Sequence, residues 1–169
     1  MTDLTKYWLN IFLLFIFILS SCSTENTKKK LTYEGISFTC PVNWIVKTST
    51  LPGESYSIRA QSGNNVLFIT FTDKKGINPK DLIEGYFSEI DSTKYQLKTE
   101  NITSSNFGKY EGLSSRFTIA NHSVHACGNM YAFKEGEKSI FIVKQSDTEE
   151  HLEQNFKIIE DSFNIEAAQ

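Results

Sequence analysis

The chain has 169 residues, a formal net charge of −3, and 22% charged against 40% hydrophobic residues. That is enough for one domain with a sizeable core and too little for a multi-domain protein. Residues 31–169 carry about five net negative charges and no basic stripe, which argues against a nucleic-acid partner.

Residues 1–10 hold one Lys and one Asp, and Ile11–Leu19 is an unbroken apolar run. Nine helical residues rise about 14 Å, less than half of a bilayer core that needs about 20 apolar residues. A short apolar run followed by small residues predicts a secretory signal peptide over 1–21 rather than a membrane span. Leu19-Ser20-Ser21-Cys22 resembles the lipobox of bacterial lipoproteins. That resemblance implies a diacylglycerol thioether on Cys22, cleavage before it and acylation of the new amino terminus. A thiolate is the strongest side-chain nucleophile for such a transfer. Several acyl chains, at about 0.8 kcal/mol per buried methylene, hold firmly where one would not.

Residues 22–30, Cys-Ser-Thr-Glu-Asn-Thr-Lys-Lys-Lys, are expected to form a polar tether, since they have no apolar surface to bury. Ser23 rather than Asp follows the cysteine, and only one acid precedes the three Lys. By the lipoprotein resemblance this implies an envelope protein on the outer membrane, facing the periplasm.

Along the body, Leu31-Thr32-Tyr33, Glu34-Gly35 and Ile36–Cys40 read as a hairpin ended by Pro41. Trp44-Ile45-Val46 resumes an extended segment, Ser55–Gln61 is a strand, and Gly63-Asn64-Asn65 a turn. Val66–Phe71 is nearly continuous and β-rich, which predicts a central strand covered on both faces. Asn78-Pro79 opens a helix, whose Leu82, Ile83, Tyr86, Phe87 and Ile90 form one stripe. Four extended segments are predicted over 95–106, 112–120, 123–133 and 139–145. Gly108 and Gly112 bracket the first turn between them, and Glu135-Gly136-Glu137 forms the last. A final helix starts at Asp147-Thr148-Glu149-Glu150, with Leu152, Phe156, Ile159 and Phe163 on one face. The pattern predicts an α+β domain, a mainly antiparallel sheet carrying helices.

"YEGISFTCPVNW" resembles the opening hairpin of PsbP/DcrB-like domains, "NFGKYEGLSSRF" their mid-chain hairpin, and "FKIIEDSF" their closing helix. The resemblance spans residues 31–165 and implies an α/β/α sandwich around an antiparallel sheet. It implies no activity, because members range over assembly factors, envelope lipoproteins and secretion chaperones that act mostly by binding other proteins.

Among chemical candidates, His122, His125 and Cys127 are the densest cluster. Strand alternation puts His122 opposite the other two, so at most two metal ligands share a face, and no metal site is expected. His125 and Cys127 stand about 6.5–7 Å apart along a strand, too far for a nucleophile and its base. Cys40 and Cys127 admit two outcomes: two buried free thiols, or a bridge closing nearly ninety residues and contributing about 4 to 5 kcal/mol. No phosphate loop or nucleophile elbow appears, so neither catalysis nor a cofactor is expected. The expected function is a non-catalytic envelope lipoprotein, held to the bilayer through Cys22, that binds a protein partner or assists assembly. The alternative is a small-ligand or metal-binding lipoprotein.

Overall fold

The computed structural model describes residues 28–74 and 76–166, so the leader, Cys22 and most of the expected tether lie outside the described residues. The first strand begins earlier than the sequence suggests. β1 (Lys28–Tyr33) pairs antiparallel with β2 (Ile36–Pro41), so all three lysines of the expected tether are strand residues. Leu31 and Tyr33 pack inward while Lys28 and Lys30 stay exposed, as alternation on a half-buried edge strand requires. The turn between them works because Glu34 and Gly35 both take positive φ, 46° and 76°, which matches the twist of a tight hairpin.

The chain continues through β3 (Ile45–Leu51), β4 (Ser55–Ser62) and β5 (Asn65–Thr72), then α1 (Pro79–Glu89). Asn78 caps α1 as expected: its side chain accepts from the Lys80 amide at 3.1 Å, with Pro79 at the first helical position. Ile83 is buried, and Leu82, Tyr86 and Phe87 pack beside it; Ile90, with extended backbone, ends the helix. The extended segment predicted over 95–106 is two strands, β6 (Gln96–Thr99) and β7 (Thr103–Phe107), both paired with β8 (Tyr110–Ala120). The registers differ by one residue, so Glu100–Ile102 form a bulge against β8, and buried Ser115 donates its hydroxyl to the Glu100 carbonyl at 2.7 Å. Gly112 belongs to no turn. It lies within β8, where a Cβ would stand 2.5 Å from the Ala132 carbonyl oxygen.

β9 (His125–Glu135) and β10 (Lys138–Ser146) complete an eight-stranded antiparallel sheet, in the order β3-β4-β5-β10-β9-β8-β6 with β7 also on β8. The strands buried on both faces are therefore β9 and β10, at the middle of the order, and not β5. On β5, Leu67, Ile69 and Phe71 are fully buried while Val66, Phe68 and Thr70 are only half covered, because α1 lies over β8–β10 instead.

The other face of the sheet carries α2 (Glu149–Gln154), α3 (Lys157–Ser162) and a three-stranded sheet, β1-β2-β11, closed by β11 (Asn164–Ile165). The single closing helix of the sequence reading is thus broken. Asn155 caps α2 through its N–H to the His151 carbonyl, and its side-chain amide donates to Asn65 at 3.2 Å. A side chain that bonds sideways competes with helix continuation. The expected stripe survives the break: Leu152, Phe156, Ile159 and Phe163 are all buried. The architecture is an α/β/α sandwich of the α+β class, as expected, with half of one outer layer made of strands.

One charge lies inside this core. Lys144 of β10 is 4% exposed, its Nζ donates to the Glu160 carboxylate of α3, and the ammonium sits 5.3 Å from the Tyr131 ring centre and 5.9 Å from that of Phe156. Removing one member of a buried pair strands the other. Glu160→Gln is expected to lower stability by about 3 kcal/mol in urea denaturation. Lys144→Met keeps the stem's packing and leaves only the partly exposed carboxylate unpaired, so its loss should be about 1 kcal/mol or less. Equal losses for both would mean that the pair is not desolvated.

Candidate functional site

Strand alternation decides which side chains meet on the α2 side of the sheet. Registers place Arg116 of β8 opposite Asn129 of β9, and Asn129 opposite Lys144 of β10; one step along, Thr118 faces Cys127. Lys98 of β6 joins them through its pairing with Thr118. α2 lies over this end of the sheet and brings Glu149, Leu152 and Glu153. The result is a groove of about 240 Å³, with Lys98 and Arg116 outnumbering Glu100 on the strand wall and an acidic wall on the helix. Its rim is loose. Arg116 and Glu153 approach only to 3.9 Å, and both are more than half exposed, so that pair contributes little.

The floor holds a misfit. Asn129 donates weakly to the Tyr131 hydroxyl at 3.4 Å, while its Oδ1 is buried without a hydrogen-bond partner. Whichever way round the amide sits, one of its ends lacks a partner, at a cost of about 1–3 kcal/mol. Buried polar groups are ordinarily satisfied, so such an atom asks for an explanation. No sequence pattern marks Asn129. The signal would have been a polar residue inside the apolar run of β9, and only the paired registers give it meaning.

The residues singled out from sequence lie apart. Of the two outcomes the sequence admits, the structure has two buried free thiols at Cys40 and Cys127. Cys127 lines the groove, and its Sγ is 3.7 Å from the Ser146 carbonyl. Burial, and then the neighbouring Glu149 carboxylate, push its thiol pKa up; burial does the same at Cys40, opposed by Lys29. A raised thiol pKa is the reverse of nucleophile activation. His122 and His125 are exposed at the entrance to β9, and among the described residues no three His, Cys, Asp or Glu side chains gather as a metal would need. Both thiols should therefore resist alkylation at neutral pH in the folded protein and both react after denaturation without reductant. Rapid labelling of Cys127 in the folded state, or an unreactive pair after denaturation, would contradict this.

The third histidine has a structural task. His151 donates from Nδ1 to Asp147 at 2.8 Å, and Asp147 also accepts from Asn64 at 3.3 Å and Ser146 at 3.1 Å. These bonds, His151's first, hold the Asp147 carboxyl down at about 2. A depressed acid contributes stability above its unfolded value of about 3.9, and that contribution is lost as pH falls toward 2. Asp147→Asn should flatten the acid limb of a stability–pH curve between about pH 4 and 2 while leaving pH 7 the flatter region.

No helix among the described residues is long and apolar enough to cross a membrane. No family model matches the sequence, and no curated protein matches it either. Solved structures do. The solution structure of cyanobacterial PsbP (CyanoP) from Synechocystis superposes with a TM-score of 0.57 at 14% identity, over 88% of this chain and 99% of that one. A crystal structure from Bacteroides thetaiotaomicron gives 0.55 at 12%, over 83% of this chain and 49% of that one. LpqN of Mycobacterium tuberculosis, involved in cell envelope biogenesis, gives 0.49 at 8%, over 83% and 91%. With the strand order and the two helix layers, the first two likenesses identify the fold of this chain as PsbP-like.

Proposed function

We propose that the chain is a lipid-anchored envelope protein, held at Cys22, whose domain works without catalysis by binding a protein partner in the groove between α2 and strands β6, β8 and β9. The observation that carries this is Asn129: a buried acceptor with no donor, on the floor of a groove whose rim is a weak Arg116–Glu153 pair. Parting that pair costs little, and where the parting uncovers the floor a partner N–H would relieve the unsatisfied oxygen. Facing walls of opposite charge favour a polar, extended segment that can meet both. In this groove a small ligand fits less well, since about 240 Å³ is below the roughly 300–1,000 Å³ of drug-sized ligand pockets.

The anchor and the groove have separate tests. Intact-mass measurement of protein from native envelopes should show a lipid-modified chain beginning at Cys22. Crosslinking and pull-down from intact envelopes should recover one reproducible partner with wild type and lose at least about tenfold of it with Arg116→Glu, which reverses a wall charge. Asn129→Ala, which deletes the unsatisfied group, should bind less while its melting temperature holds or rises. Equal recovery by wild type and both variants would remove the groove from the proposal.

A further inference from the structure

The chain enters the domain at a distinctive corner. Lys28 pairs with Pro41, and Lys29 reaches across to donate to the Val42 and Trp44 carbonyls, clasping the start of β1 to the β2–β3 turn. Trp44 is buried there, but its neighbours are not. Ile45 is 67% and Val42 51% exposed, the two most exposed large apolar side chains among the described residues. The fold leaves both side chains largely uncovered, and together they make this turn tip apolar.

The charges that the first five strands bring to that tip have one sign. Residues 28–72 carry five basic side chains and two acidic ones, whereas 73–166 carry eleven basic and sixteen acidic. Both acids of the first stretch, Glu34 and Glu54, lie in the turns at the far ends of β1 and β3. Lys28 and Lys30 alternate with the inward-facing Leu31 and Tyr33, so they project from the outer face of the small sheet. Ile45 and Lys47 alternate with the inward-facing Val46, and Arg59 is opposite Lys47 across the β3–β4 register, so these project from the outer face of the large sheet. Basic side chains thus straddle an apolar tip on both sides of the sandwich. Asp147, which reaches the β4–β5 turn through Asn64, has its charge engaged by His151.

We propose that this corner, with Val42 and Ile45 at its tip and Lys28, Lys30, Lys47 and Arg59 around it, rests on the anionic phospholipid surface to which the chain is anchored. The inference depends on the lipid anchor proposed above. Cys22 lies six residues before Lys28, a reach of roughly 20 Å at most, so the corner is the part of the described fold that the anchor holds against the bilayer. Apolar tips enter the headgroup boundary, and basic side chains next to an anionic surface strengthen the contact by about fivefold each.

The test uses the full-length lipidated chain, extracted from envelopes and reconstituted in vesicles of equimolar phosphatidylglycerol and phosphatidylcholine or of phosphatidylcholine alone. Hydrogen exchange is read by mass spectrometry, with intact mass reporting the anchor on the same sample. Exchange in 41–47 should slow on the anionic vesicles only. Lys47→Glu with Arg59→Glu should lower occupancy of the seated state by about tenfold or more and restore the rate seen on phosphatidylcholine. Val42→Ser with Ile45→Ser should do the same without altering the melting temperature, since neither side chain is packed. A lipidated chain whose 41–47 exchange is indifferent to vesicle charge overturns the inference and leaves the anchor standing. A mass without lipid removes the anchor, and the inference with it. Slowed exchange that tracks protein concentration without vesicles would assign the same edge to pairing between copies of the chain and also overturns it.

Discussion

The Lys144–Glu160 pair is the contact on which the closing of this fold turns. A charged side chain inside the most buried strand has to be met from above, and Glu160 of α3 meets it. Once the carboxylate is fixed over Tyr131 and Phe156, the position of α3 follows, and with it the last aromatic layer. Phe163 then lies edge-on to Phe107, Tyr110 and Phe133 at 5.1 to 6.3 Å between ring centres. The approach is tight enough to dictate a glycine on the far side. A Cβ at Gly108 would stand 2.5 Å from the Glu160 carbonyl oxygen, and its φ of +58° is itself a glycine conformation. The turn at Gly108 is thus fitted to the seat of α3, the helix whose Glu160 also reaches Lys144.

Two layers built on one sheet divide the work. The face toward α1 is closed by aromatics, with Tyr86 and Phe87 against Phe117 and Phe141, and by Gly128, whose missing side chain gives the Phe117 ring its seat. That layer is apolar and satisfied. The opposite face mixes buried apolar contacts with Lys144, Asn129 and Cys127, and its outer layer is assembled from short pieces. Polar compromise and short elements lie on one face and close packing on the other, and the proposed binding groove belongs to the first.

Much of this was legible in the sequence, for reasons that can be named. α1 was readable because an Asn-Pro start and a stripe at helical spacing are both local signals, and the hairpin at Glu34-Gly35 because its two residues suit one turn type. What escaped depends on contacts far along the chain. A Lys inside "IFIVKQS" looks like a surface position until Glu160 is seen above it. The lysines of β1 look like tether until Pro41, Cys40 and Thr39 are seen beside them. β5 appeared to be the covered strand because its composition is more apolar, but cover is assigned by where α1 lands, and that is three strands of topology away from any local pattern. Asn129 carries no signal at all without register.

β2 is bordered by the first strand of the domain on one side and by its last two strand residues on the other. Beyond the reach of β11, the Thr39 amide is received by the Ser162 hydroxyl at 2.8 Å, across 123 residues of sequence, and the Ile165 amide by the Tyr110 hydroxyl at 2.8 Å. The β1–β2 hairpin is local, but the other edge of β2 is closed only by residues more than 120 positions away in sequence. A chain lacking Asn164 and Ile165 can assemble the large sheet with α1 on it while β2 keeps a vacant edge, open to a strand from another copy.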